Sequence, residues 1–176
     1  MSNFTEFVPA YRHAQAKDMA EFISFCKEEL TTFGPDFSWE SNHWPEAKIF
    51  FGNWEVSRHA INQSPLQQPL LDFAKAYVRY TLSFKTKPQA RYEGTIFKCI
   101  EKALNEAGHP SDISILNHEL LDRASELARE RFSKSSSYHI GRNLQKLAEF
   151  VSTKQLIPNH LDWKNTNSRV ILLGQV

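Results

Sequence analysis

Two cysteines, six glycines and no apolar run longer than the four residues from Val170 to Leu173 limit what this chain of 176 residues can be. A run that short cannot span a bilayer, so no membrane partner is expected. The first ten residues lack the basic, apolar, small-residue order of a signal peptide, which points to the cytoplasm. Cys26 and Cys99 are isolated and read as buried thiols rather than a disulfide framework. Seven histidines are scattered without His-x-x-x-His spacing or cysteine partners, so no metal site is expected. Gly34, Gly52, Gly94, Gly108, Gly141 and Gly174 stand alone. No phosphate-cradling glycine loop follows from them, and no cofactor is implied. Alternating strand patterns do not compete over the hundred or so residues that follow Pro65, and no repeat of 20 to 50 residues is visible.

Apolar surface, by contrast, is plentiful. Hydrophobic residues make up 41% of the chain, with 13 Phe and 4 Trp, enough for one domain with a proper core. The net charge of +1 conceals an asymmetry: residues 1–65 carry five Lys/Arg against nine Asp/Glu, whereas the remainder carries sixteen against eleven. A cationic half of this kind is a mild pointer to a polyanion.

Periodicity predicts an all-α protein. A helix is expected over about Ala16 to Thr32, ended by Gly34-Pro35. Residues 36–64 hold Trp39, Trp44, Phe50, Phe51 and Trp54 among Pro, Gly and Asn, with no sustained period. This irregular segment is expected to be pinned by its rings, although a stacking platform or a partner surface is the alternative use of them. Four helices follow, over about Gln67 to Ser83, Pro88 to Ala107, Asn117 to Phe132 and Ser136 to Thr153. Pro69 falls in the first opening turn, Gly108-His109-Pro110 stops the second, Asn117 caps the third and Ser135 can cap the fourth. Short connections imply a compact bundle. Three regions result: residues 1–65 as an accessory segment, 66–158 as the helical domain, and 159–176 as a polar linker in which residues 170–173 could form a strand.

Two of these helices have a basic side. On the second, Lys87, Arg91, Lys98 and Lys102 fall within about 60° of one another, opposite Ile96, Phe97, Ile100, Ala103, Leu104 and Ala107. On the fourth, Arg142 and Lys146 lie one turn apart, opposite Ile140, Leu144, Leu147, Ala148 and Val151. Lys85, Lys134 and Ser136 stand near the helix starts, where hydroxyls and backbone N–H groups can also meet phosphates. Glu101 and Glu149 flank the stripes.

The run Leu71-Asp72-Phe73-Ala74-Lys75-Ala76-Tyr77-Val78-Arg79-Tyr80, three further helices and the exit Leu161-Asp162-Trp163-Lys164-Asn165 resemble the core-binding region of tyrosine recombinases, the phage-type integrases, over about residues 66–169. The resemblance implies a SAM-like four-helix bundle that forms one half of a clamp on double-stranded DNA, with the second and fourth helices against the duplex. It also implies a larger C-terminal catalytic domain, and a protein that is monomeric alone and oligomeric on DNA. His139-Ile140-Gly141-Arg142 matches the family's His-x-x-Arg box in spacing, but Tyr11, Tyr77, Tyr80, Tyr92 and Tyr138 all precede Arg142, leaving no nucleophile where one belongs. The chain is therefore expected to be a non-catalytic DNA-binding portion of such a recombinase. The alternative is a helical protein-interaction module that docks a partner on the aromatic segment, which requires an exposed patch containing Trp39, Trp44 or Trp54.

Overall fold

The computed structural model describes residue 7, residues 15–55 and residues 64–167. Helix α1 covers Gln15–Glu28, four residues short of the expected end. The final carbonyls of a helix lack intrahelical donors, and here a side chain from elsewhere supplies them. Arg79 donates from NH1 to the carbonyls of Cys26 and Lys27, both at 3.0 Å, and from NH2 to that of Thr32 at 2.9 Å. Its guanidinium also lies 4.3 Å from the centroid of Phe37. A cation at this end is favoured by the helix dipole as well.

The aromatic segment folds as a minimal hairpin. Strand β1 (His43–Trp44) pairs antiparallel with β2 (Ile49–Phe50), His43 opposite Phe50 and Trp44 opposite Ile49. Trp44, 1% exposed, is ringed by Phe33, Phe37, Trp39 and Phe51 at centroid distances of 4.7 to 5.9 Å. The rings anchor the segment, as the absence of a regular period requires if such a stretch is to be held in place.

Helix α2 (Leu70–Leu82) is buried on every side, including at Lys75 and Arg79. Lys75 Nζ donates to the carbonyl of Trp39 at 2.8 Å, which ties the aromatic segment to the helix. Phe22 of α1 meets Phe73, Tyr80 and, near the C-terminus, Phe150, so one core is shared by the N-terminal segment and the helices after it.

The next helix differs from expectation. Helix α3 spans Thr95–Glu106 and not a range beginning at Pro88. Residues 84–94 instead fold around the Glu93 carboxylate, which accepts Lys85 Nζ at 2.7 Å and the Arg91 backbone N–H at 2.8 Å, while Ala90 N–H donates to Ala47 beside β2. Gly94 caps the helix against Ile49, where a β-carbon would collide with the isoleucine side chain. The C-terminal stop is as expected. Gly108 at φ +78° lets its own N–H reach Asn105 O and the His109 N–H reach Leu104 O, a Schellman closure.

A 3₁₀ turn (Ile113–Ile115) leads to α4 (His118–Arg131), capped by Asn117 Oδ1 on the Leu120 N–H at 2.8 Å. Helix α5 (Lys134–Thr153) is capped by Ser133 rather than Ser135, with its Oγ accepting the Ser136 N–H at 3.2 Å. Ile140, Leu144, Leu147, Ala148 and Val151 are all buried, so the inward face of α5 is the one read from its period. Helix α3 packs chiefly on α4, and α4 on α5.

After α5 the chain does not run free along residues 161–167. Leu161 and Trp163 are buried, and Trp163 Nε1 donates to Asp122 Oδ1 at 2.8 Å. Asn167, fully buried, donates from Nδ2 to the carbonyls of Ser125 and Ser137 and accepts from Arg129. This stretch is a strap bound to α4 and α5 by hydrogen bonds from Leu161, Trp163, Asn165 and Asn167, while Asp162 and Lys164 are exposed and pair with each other. Residues 170–173, expected as a strand, lie outside the described residues.

Candidate nucleic-acid interface

Because α3 starts at Thr95, the stripe expected on one helix is divided. Lys87 and Arg91 belong to the loop before it and are exposed, whereas Lys98 and Lys102 are on α3 and half-buried. Burial, and secondarily the charge of Arg131, holds the Lys98 amine below the ordinary lysine range. Lys102 stands close enough to Glu106 for its charge to help lower that carboxyl, chiefly held down by Arg123. Lys85 is engaged by Glu93. At the start of α5 Lys134 is exposed, Ser136 is half-buried, and the Ser136 N–H is taken by the cap, so it does not face a ligand. Arg142 and Lys146 are exposed on α5 as expected. Glu101 faces away from the stripe and is buried, accepting the Gln67 N–H and the Ser111 hydroxyl, both at 2.9 Å.

Tertiary packing reunites part of the divided set. The Arg91 guanidinium lies 6.0 Å from the Tyr92 centroid, and Tyr92 stacks on His139 of α5 at 5.3 Å with only 14° between the planes. His139 meets Tyr138 edge-on at 5.3 Å, and Arg142 lies 5.9 Å from the Tyr138 centroid. The result is a continuous ladder, Arg91–Tyr92–His139–Tyr138–Arg142, that joins the loop before α3 to α5. Its two cations are exposed at the ends and its three rings are half-buried between them. Lys146 extends it by one turn.

Beside the ladder is a cleft of about 420 Å³ lined by Tyr138, Arg142, Gln145, Lys146, Glu149 and Asn165. All but Asn165 come from one face of α5, at steps of three and four residues. Asn165 closes the cleft from the strap: its N–H donates to Gln145 Oε1 at 2.9 Å and its Nδ2 to the Tyr138 carbonyl at 3.3 Å. Gly141 makes this approach possible, since a β-carbon there would lie 2.6 Å from Asn165 Cγ.

Sequence reasoning did not single out Tyr92, Tyr138, His139 or Asn165 as site residues, nor Arg131, which stacks on Trp54 at 4.5 Å and donates to its carbonyl. Tyr138 and Arg142 at i and i+4 were a legible pair. Tyr92 and Asn165 reach α5 from 46 residues upstream and 27 residues downstream of Tyr138, beyond the reach of any local pattern. Of the tryptophans proposed as a partner patch, Trp39 and Trp44 are buried and Trp54 is half-buried, and among the described residues Phe84 is the one large hydrophobic side chain that is exposed. Among the described residues no group of three or more His, Cys, Asp or Glu is placed to hold a metal ion, and no helix is long and apolar enough to cross a membrane.

No family model matches this chain, and no curated protein or solved structure matches it either.

Proposed function

We propose that this chain is a non-catalytic DNA-binding module, of the kind that supplies the SAM-like core-binding half of an integrase-like tyrosine recombinase. The observation that carries the reading is the alignment of Arg91, Arg142 and Lys146 along one aromatic-backed surface made by two segments distant in sequence. Guanidinium groups held against rings are pre-oriented for planar, charge-assisted contacts with phosphate oxygens. The four successive helices α2 to α5 and the resemblance of the 71–80 run support the recombinase assignment. Burial of Trp39 and Trp44 counts against docking a protein partner on the aromatic segment.

Five of the cations read from the sequence, Lys87, Arg91, Lys134, Arg142 and Lys146, are exposed and without an ion-pair partner among the described residues. If each neutralises one phosphate, the log–log slope of affinity on salt is about −4.5, a fall of about 500-fold from about 50 to 200 mM. The test is fluorescence anisotropy of a labelled duplex of about 30 base pairs across that salt range. The reading expects this slope, and a loss of about two units from it when Arg142 and Lys146 are both replaced by Glu. A slope near zero, or a slope untouched by that double substitution, refutes it.

A further inference from the structure

We propose that the cleft along α5 holds one unpaired nucleotide, its base stacked on Tyr138 and its phosphate held by Arg142 and Lys146, so that DNA distorted by an extra-helical base is preferred to continuous duplex. The inference rests on the DNA-binding reading and specifies the ligand of the same surface.

Cations alone would suffice for duplex phosphates, yet this surface sets three rings in mutual contact between them. Within a continuous duplex each base covers the faces of its neighbours, so a protein ring has no π-face to meet. A base outside the stack exposes one, and aromatic side chains and arginine planes are the groups that receive it. The cleft is at the lower end of the size range of small-ligand sites. Its polar lining is graded along the helix axis. Tyr138 is at one end, Arg142 and Lys146 follow at one-turn intervals, and Glu149 stands at the other end, about 16 Å from Tyr138 by helical rise. Two cations in the middle suit a single phosphate, and a carboxylate beyond them repels a second one. A strand of many nucleotides therefore does not fit the axis, whereas one displaced nucleotide does.

The neighbouring groups are committed in a way that keeps the cleft open. Gln145 accepts the Asn165 N–H and donates to Glu149 Oε1 at 3.2 Å, which holds its side chain along the wall. Asn165 spends Nδ2 on the Tyr138 carbonyl and Oδ1 on the Asn167 N–H. The site is thus built before any ligand arrives, and binding requires no rearrangement of the strap.

The experiment compares an intact labelled duplex with the same duplex carrying one bulged nucleotide, by anisotropy with the full chain. The bulged duplex is expected to bind about tenfold more tightly. Tyr138→Ala is expected to bring the ratio of the two affinities close to one, and Tyr138→Trp to retain it. With 2-aminopurine as the bulged base, binding to the unaltered protein is expected to quench its emission through stacking, a readout that needs no variant to fold. Equal affinities for the two duplexes, or unchanged 2-aminopurine emission at saturation, overturn the cleft proposal while salt-dependent duplex binding leaves the broader reading standing. Failure to bind either DNA at low salt overturns both.

Discussion

Replacing Gly141 by alanine discriminates between a free tail and a bound strap by the sign of its effect. Glycine in a helix interior costs about 1 kcal/mol relative to alanine, so at position 141 of α5 the substitution would stabilise the protein if the tail lay elsewhere. In the structure the added β-carbon meets Asn165, and the asparagine must leave. Its departure breaks three hydrogen bonds: Asn165 N–H to Gln145, Nδ2 to the Tyr138 carbonyl, and Oδ1 from the Asn167 N–H at 2.8 Å. At about 0.5 to 1.5 kcal/mol each, the loss is about 1.5 to 4.5 kcal/mol. Subtracting the helix gain leaves a net destabilisation of about 0.5 to 3.5 kcal/mol, or about 1 to 14 °C in Tm for a chain of this size. Urea unfolding followed by circular dichroism measures it. In an Asn165→Ala background the colliding atoms are gone, and Gly141→Ala is expected to become neutral or favourable, a coupling of the two sites that a double-mutant cycle isolates. A rise in Tm for the single variant would refute the docking of the strap and with it the wall of the cleft.

Arg79→Met is expected to cost about 2 to 4 kcal/mol in the same assay, because the carbonyls of Cys26, Lys27 and Thr32 lose a charged donor. A loss under about 1 kcal/mol would show that the end of α1 does not depend on it. Gln155 holds a left-handed conformation at φ +55° just past α5. Gln155→Gly is therefore expected to raise stability by about 0.5 to 1 kcal/mol, and a decrease in Tm would contradict the strain. Burial pushes the Cys99 thiol from 9.0 up to about 12, the charges of Arg131 and Lys98 opposing only in part. A raised folded-state value means that stability is fully present below pH 9 and is lost as pH rises from there towards 12, so Cys99→Ala is expected to lose stability less steeply between pH 9 and 10.5 than the unaltered chain. Identical slopes would contradict that. With both thiols buried, a thiol reagent at pH 8 is expected to react only as fast as the protein opens, and an immediate reaction at either cysteine would contradict the buried placement.

The helices of this chain are legible because each encodes its own period. The apolar set of α5 and that of α3, save the exposed Ala107 at its end, are buried as read, and Asn117 and Gly108 act where local capping rules place them. The misreadings have local competitors. Pro88 is a plausible first residue of a helix, but the Glu93 carboxylate gathers Lys85 and the Arg91 N–H into a loop that a propensity reading does not contain. Ser133 and Ser135 are both capable caps, and the serine whose Oγ reached the Ser136 N–H was chosen by the turn from α4. Lys75, Arg79 and Glu101 look like solvated charges in sequence, yet all three are buried on partners as far as 53 residues away.

The candidate surface divides in the same manner. That α5 presents Arg142 and Lys146 away from its core face is determined by the sequence alone, since side chains one turn apart share a face whatever surrounds them. That Arg91 joins them, that Lys98 is instead half-buried where the charge of Arg131 opposes its own, and that a polar tail becomes one wall of a cleft were decided only by tertiary structure. The physical reason is range: helical periodicity and capping act over three or four residues, whereas the stacking of Tyr92 on His139 and the seating of Asn165 over Gly141 depend on where whole elements come to rest.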